Sequence, residues 1–244
     1  RLGCVGHGPP LAVGKGHCYR SDAVTPSPNA SRFARTALTV IVFAIAMGYV
    51  ESAVVVDLRA ALGQPAAPTF PLQLADEATG NLAWIEVGRE AATMVMLASI
   101  GLLLGRRGWE WLAWTAVAFG VWDIAYYGWL AVFIGWPTSP LDMDLLFLIP
   151  VPWVGPVWAP VAVSIALVGV GLVAARRYAM GRDPVVRGRH VAAGLLGGAL
   201  VLTSFMLDAP GILAGGQPGP FAWPVFVAGM GVALVAAWDL LRRP

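Results

Sequence analysis

The chain has 244 residues, 58% of them hydrophobic and 12% charged, with a mean hydropathy of +0.70. Charged residues make up about 25% of an average soluble domain, so this composition excludes an ordinary water-soluble fold and points to an integral membrane protein. The net charge is +2; no Lys/Arg run is suited to nucleic acid, and no soluble stretch is long enough to hold one.

Residues 1–35 are rich in Gly, Pro and Ser and lack any hydrophobic period, which predicts a disordered cytoplasmic segment. Cys4, His7, His17 and Cys18 are zinc-ligand types, but in such a run no metal site is expected. No apolar core of a secretory signal precedes residue 36. The chain does not begin with Met, so whether this segment is a true N-terminus stays open.

A membrane span needs about 20 mainly apolar residues. Six segments meet that length, at roughly 36–56, 81–105, 109–131, 155–175, 190–208 and 222–241. The predicted fold is therefore all-α: a polytopic membrane protein with a six-helix transmembrane domain over 36–244. Arg32, Arg35, Arg106, Arg107, Arg176, Arg177, Arg182, Arg187, Arg189, Arg242 and Arg243 fall on one side if the six spans alternate. The other side carries only Arg59, with Asp57, Asp76, Glu77, Asp142, Asp144 and Asp208. Basic loops stay cytoplasmic, which predicts both termini inside a multi-pass protein of the cell (cytoplasmic) membrane. Tryptophans suit that arrangement. Trp84, Trp129, Trp136, Trp153, Trp158 and Trp223 map to the outer interface, and Trp109, Trp111, Trp114 and Trp238 to the inner one.

Between the third and fourth spans, VFIGWPTSPLDMDLLFLIPVPWV (132–154) ends in an apolar run too short to cross, and Pro150 and Pro152 break any helix there. An outer re-entrant or interfacial loop, lying as a lid over the bundle, is expected. In the later spans Gly194 and Gly198, with Gly169, Gly171, Gly229 and Gly231, are expected to let helices approach closely.

The second span carries Glu86, Arg89 and Glu90, whose spacings of three and four share one helical face. Each charge at membrane depth costs roughly 2.5–3.5 kcal/mol on insertion scales. At 1.5 Å per residue, Glu51 lies roughly 8 Å below the outer end of the first span, Glu86 roughly 8 Å, Arg89 and Glu90 roughly 13 Å, and Asp123 roughly 12 Å. Tyr126 and Tyr127 follow Asp123 by three and four residues. Four carboxylates thus meet one guanidinium in the outer leaflet. Arg89 can pair bidentately with one acid and bridge to a second; the excess calls for protons, a cation or water, and at least one carboxyl is expected to be protonated at neutral pH. Asp142 and Asp144 read as ordinary loop acids, with the alternative that the lid brings one of them over the cluster.

Three function classes stay open. The leading one is a proton- or cation-linked transport or ligand-binding site built from Glu51, Glu86, Arg89, Glu90, Asp123, Tyr126 and Tyr127, its partners being the lipid bilayer and protons, a cation or a small polar ligand. The second is a structural or assembly protein whose charges form a buried salt-bridge network. The third is an intramembrane metal-dependent enzyme, against which stands the absence of histidine from the cluster: His190 sits at the cytoplasmic end of the fifth span, and an all-oxygen site suits Mg, Ca or Mn. No Ser–His or Cys–His pair shares one depth. Enzymatic activity and cofactor stay open.

The strings GYVESAVVVDLR (48–59), IEVGREAATMVML (85–97), FGVWDIAYYGWL (119–130), GWP (135–137) and LFLIPVPWVGPVWAP (146–160) resemble a family of uncharacterised prokaryotic multi-pass, six-helix membrane proteins. The resemblance covers about residues 36–175 and implies membership rather than an activity. The positions matching its pattern are Glu51, Glu86, Arg89, Glu90, Asp123, Tyr126 and Tyr127.

Overall fold

A chain this apolar must satisfy its backbone polar groups internally, and helices do so within one segment. The computed structural model describes residues 28–61 and 77–242. Its long helices are α1 (Pro28–Ala61), α2 (Glu77–Leu104), α3 (Glu110–Ile134), α4 (Trp158–Ala179), α5 (Gly188–Met206) and α7 (Trp223–Arg242), with a short α6 (Ala209–Leu213) between the last two. Six helices are long and apolar enough to cross a membrane, so the chain is a multi-pass membrane protein. They match the six expected segments. The first helix starts earlier, at Pro28. Its 34 residues run about 51 Å, longer than a hydrocarbon core of about 30 Å. The cysteine–histidine pattern at residues 4–18, most of the loop at 57–80, and Arg243 lie outside the described residues.

The third helix is the centre. It packs against α1, α2 and α4, whereas α1 and α2 barely touch each other among the described residues. Val40 and Ala44 of α1, Leu97 of α2 and Ala175 of α4 close around Ala113, Trp114, Val117, Ala118 and Trp122 of α3. Fully 39% of the α3 span is buried against 11% for α7, so the last helix shows most of its surface to the surroundings. Trp114, expected at the inner interface, is instead a core residue at 3% exposure, packed on Phe33.

Gly135 ends α3 in the left-handed conformation at φ 66°, its N–H bonding the Ala131 carbonyl. A residue without Cβ takes that conformation without penalty. The segment expected to be an irregular loop then forms an antiparallel hairpin: β1 (Met143–Phe147) and β2 (Trp153–Pro156), pairing Asp144 with Gly155 and Phe147 with Trp153, with an irregularity between Leu145 and Phe147. The physical reason is backbone satisfaction. Pro150 and Pro152 rule out a helix, yet five residues on one side and four on the other can still pair with each other. The hairpin seats against α4 and α5, where Leu146, Trp153 and Phe221 pack on Ala159, Val201, Phe205 and Phe226.

Of the glycines expected to let helices approach closely, Gly229 does so between α7 and α5 and Gly171 between α4 and α3, where a Cβ would come within 2.7 Å of the Ala113 carbonyl; on α5 the contact is made by Gly197 rather than by Gly194 or Gly198. A Cβ on Gly197 would come within 2.8 Å of the Gly229 carbonyl and the Ala233 amide, and one on Gly229 within 2.8 Å of the Gly197 carbonyl. Gly194, Gly198, Gly169 and Gly231 face open space. Helices in lipid associate through such close contacts rather than through water exclusion. Gly197→Leu is expected to destabilise the protein by about 1–3 kcal/mol through overpacking, and Gly194→Leu to leave it unchanged. Thermal unfolding of the purified protein in detergent measures both.

Candidate functional site

The four-residue rhythm of α2 aligns Glu86, Arg89, Glu90 and Thr93 on the side facing α1 and the hairpin. Arg89 Nε donates to Glu86 Oε2 at 2.9 Å, and its Nη2 pairs with Glu86 Oε1. Its Nη1 pairs with Glu51 Oε1 on α1. One guanidinium thus grips one acid with two nitrogens, as a planar fork can, and forms an ion pair with a second acid on a neighbouring helix. Thr93 Oγ1 donates to the other oxygen of Glu51 at 3.3 Å. Glu51 and Thr93 are buried, at 9% and 2% exposure.

Glu90 points to the hairpin. Its two oxygens share the Leu148 N–H at 3.1 and 3.0 Å, at the end of β1. The backbone donor that the turn leaves unpaired is thereby satisfied by an acid from α2.

A second polar patch lies on α3. Asp123 accepts from Ser164 Oγ of α4 at 2.7 Å, and both are buried. The Tyr127 hydroxyl donates to Asp144 Oδ2 of β1 at 3.1 Å, and Asp144 is 2% exposed. Tyr126 stacks edge-on against Tyr127 with centroids 5.1 Å apart. Its carbonyl accepts from Ser52 Oγ of α1 at 2.9 Å, a contact allowed by Gly48, where an added Cβ would lie 3.0–3.1 Å from Ala125, Trp122 and Tyr126 of α3. The Arg59 guanidinium sits over the Trp136 ring, 5.2 Å from its centre, a cation–π arrangement.

All seven sequence-predicted residues therefore come to the hairpin end of the bundle, but hydrogen bonding divides them. Glu51, Glu86 and Arg89 form one unit on α1 and α2. Glu90 reaches away from it to the hairpin, and Asp123 and Tyr127 bond to α4 and β1. The tyrosine that donates does so to Asp144 rather than Asp123. The hairpin joins the two patches, since Asp144 and Leu148 lie four residues apart on it. Asp142 behaves as the ordinary loop acid expected of it, accepting from Thr138 N–H, Thr138 Oγ1 and Ser139 N–H at 2.7–3.0 Å in an exposed turn. Asp144 does not. Sequence reading also passed over Thr93, Ser52 and Ser164. Thr93 was within reach, standing three residues beyond Glu90 and seven beyond Glu86 on one face. Ser164 offered no local signal, because its role depends on where α4 meets α3.

Asp144 lies outside the spans, and burial pushes its carboxyl up to about 6, opposed by the charge of Arg59, the Tyr127 hydroxyl and the Leu145 amide. Among the described residues no three of His, Cys, Asp and Glu come together as a metal-ligand set.

No family model matches the chain, and neither a curated protein nor a solved structure matches it.

The Asp144 carboxyl gives a pH prediction. Between about pH 4 and 6 the folded protein holds this proton while the unfolded chain, with an ordinary carboxyl near 3.8, has lost it. The folded state binds more protons, so stability falls as pH rises through that window, by about 3 kcal/mol from this group. Asp144→Asn keeps an acceptor for Tyr127 and removes the titration. Melting midpoints at pH 4.5 and 7 should fall more for the wild type than for the variant; parallel changes would refute the assignment.

Proposed function

We propose that the hairpin end holds a proton- or cation-linked site, serving transport or the binding of a small polar ligand in the outer leaflet of the cell membrane. The observation that carries this reading is an excess of acid. Among the described residues Glu51, Glu86, Glu90, Asp123 and Asp144 gather at this end with Arg89 and Arg59 as the guanidiniums. Full ionisation leaves an excess of three negative charges in surroundings of low dielectric, which protons, a bound cation or a cationic ligand would offset. Arg89 holds Glu51 and Glu86. Glu90, Asp123 and Asp144 accept from neutral donors and are the groups free to exchange a proton or meet a cation. The hairpin acts as a lid whose position is tied to Glu90.

The sidedness belongs to the same proposal. At the end away from the hairpin, Arg107 meets Asp183 at 3.6 Å, and Asp239 meets Arg189 at 2.7 Å and Arg242 at 2.9 Å. The basic segments thus gather at one end, which supports an N-in, C-in arrangement with the hairpin outside.

The test is flux. In proteoliposomes with a pH-sensitive dye, the wild type is expected to move protons or an alkali cation. Glu90→Gln should lose most of that flux while melting within a few degrees of wild type. Infrared difference spectra should show a carboxyl titrating between about pH 5 and 9. A wild type with neither flux nor such a band would sink the proposal.

A structural reading has its own observation. The Arg89–Glu51 pair, with the Thr93–Glu51 hydrogen bond beside it, ties α1 to α2, which otherwise scarcely touch among the described residues. Breaking a buried pair from one side costs about 3–5 kcal/mol. If register is its purpose, Arg89→Ala lowers the melting midpoint sharply, and Arg89→Met combined with Glu51→Gln and Glu86→Gln recovers most of it without any change in flux.

A further inference from the structure

A second polar feature lies far from the hairpin. Between the start of α1 and the end of α2 is a groove of about 320 Å³ lined by Arg32, Arg35, Thr36, Thr39, Val40 and Leu104. Spacings of three, four and seven put the four polar residues on one face of α1. Both arginines are exposed, and among the described residues neither is paired. Arg107, Arg189 and Arg242 at the same end each meet an acid; Arg32 and Arg35 differ from the other arginines there in lining one groove together. Thr39 Oγ1 already donates to the Arg35 carbonyl at 3.0 Å, which leaves the Thr36 hydroxyl as the neutral donor beside the two guanidiniums.

We propose that this groove binds a phosphate group, with the headgroup of an anionic phospholipid as its source. Two planar forks separated by one turn suit the oxygens of a single phosphate, each fork able to engage two of them. Basic pockets between helices at the cytoplasmic face of a membrane are suited to such headgroups. The surroundings favour a lipid over a free anion. Below the guanidiniums, Leu38 and Val42 of α1 are 62% and 57% exposed, and Leu103 of α2 is 79% exposed. An acyl chain descending from a headgroup at Arg32 and Arg35 meets apolar surface, and a free phosphate gains nothing from it.

The full chain, purified in detergent and stripped of lipid, is melted with phosphatidylglycerol, with phosphatidylcholine, and with inorganic phosphate alone. Phosphatidylglycerol is expected to raise the midpoint by about 3–5 °C, as a ligand bound only to the folded state does, and phosphatidylcholine to raise it by much less. Arg32→Gln with Arg35→Gln should abolish the difference between the two lipids, and Arg182→Gln, an exposed arginine elsewhere, should preserve it. Thr36→Phe fills the groove without touching its charge and should abolish it too, which decides the matter if the double variant does not fold. A rise with inorganic phosphate that both groove variants remove upholds the phosphate site and assigns it to a free anion. Equal response to the two lipids with none to phosphate, or a lipid preference intact in the groove variants, overturns the proposal.

Discussion

The low dielectric around Arg89 is the constraint on which the hairpin end depends. A guanidinium inside an apolar helix is unfavourable by several kcal/mol without a partner, and this one has two, Glu86 one turn back on its own helix and Glu51 across on α1. Because α1 and α2 each lean on α3 rather than on each other, that pair spans the space between them. Apolar packing places each helix on α3, and the Arg89–Glu51 pair together with the Thr93–Glu51 hydrogen bond bridges the space between them.

The same scarcity of water governs the hairpin. Once two prolines have excluded a helix, its backbone groups need partners of other kinds. Strand pairing supplies most of them, Glu90 takes the Leu148 amide, and Tyr127 brings its hydroxyl to Asp144. Acids on α2 and in the hairpin are thereby tied to the position of one short β element. Loss of the Glu90 carboxylate would leave the Leu148 amide without this partner, so the acid on α2 and the seating of the hairpin depend on one another.

Much of this was legible beforehand. Six apolar segments of adequate length become six helices because hydropathy and backbone satisfaction act locally. Glu86, Arg89 and Glu90 share a face because their spacing matches the helical repeat, and Arg89 makes the two-acid contact that its fork permits. Less legible was everything that depends on a second element. Asp144 reads like Asp142 two residues before it, yet one is buried against Tyr127 and the other caps an exposed turn. Gly194 and Gly198 have the expected spacing, yet Gly197 makes the contact, because the rotation of α5 toward α7 decides which glycine faces inward.

By itself the sequence determined the membrane character, the number and approximate limits of the crossing helices, and the level at which charge would accumulate. These follow from composition, period and rise per residue, all properties of a single segment. Only the tertiary structure decided how the acids are shared out: Glu51 and Glu86 to Arg89, Glu90 to the Leu148 amide, Asp123 to Ser164 and Asp144 to Tyr127. Glu86, Arg89 and Glu90 could have been a salt bridge closed within one helix. They are instead one side of a region where acids outnumber guanidiniums, because helix rotation and the fold of the hairpin bring in groups that lie far along the chain.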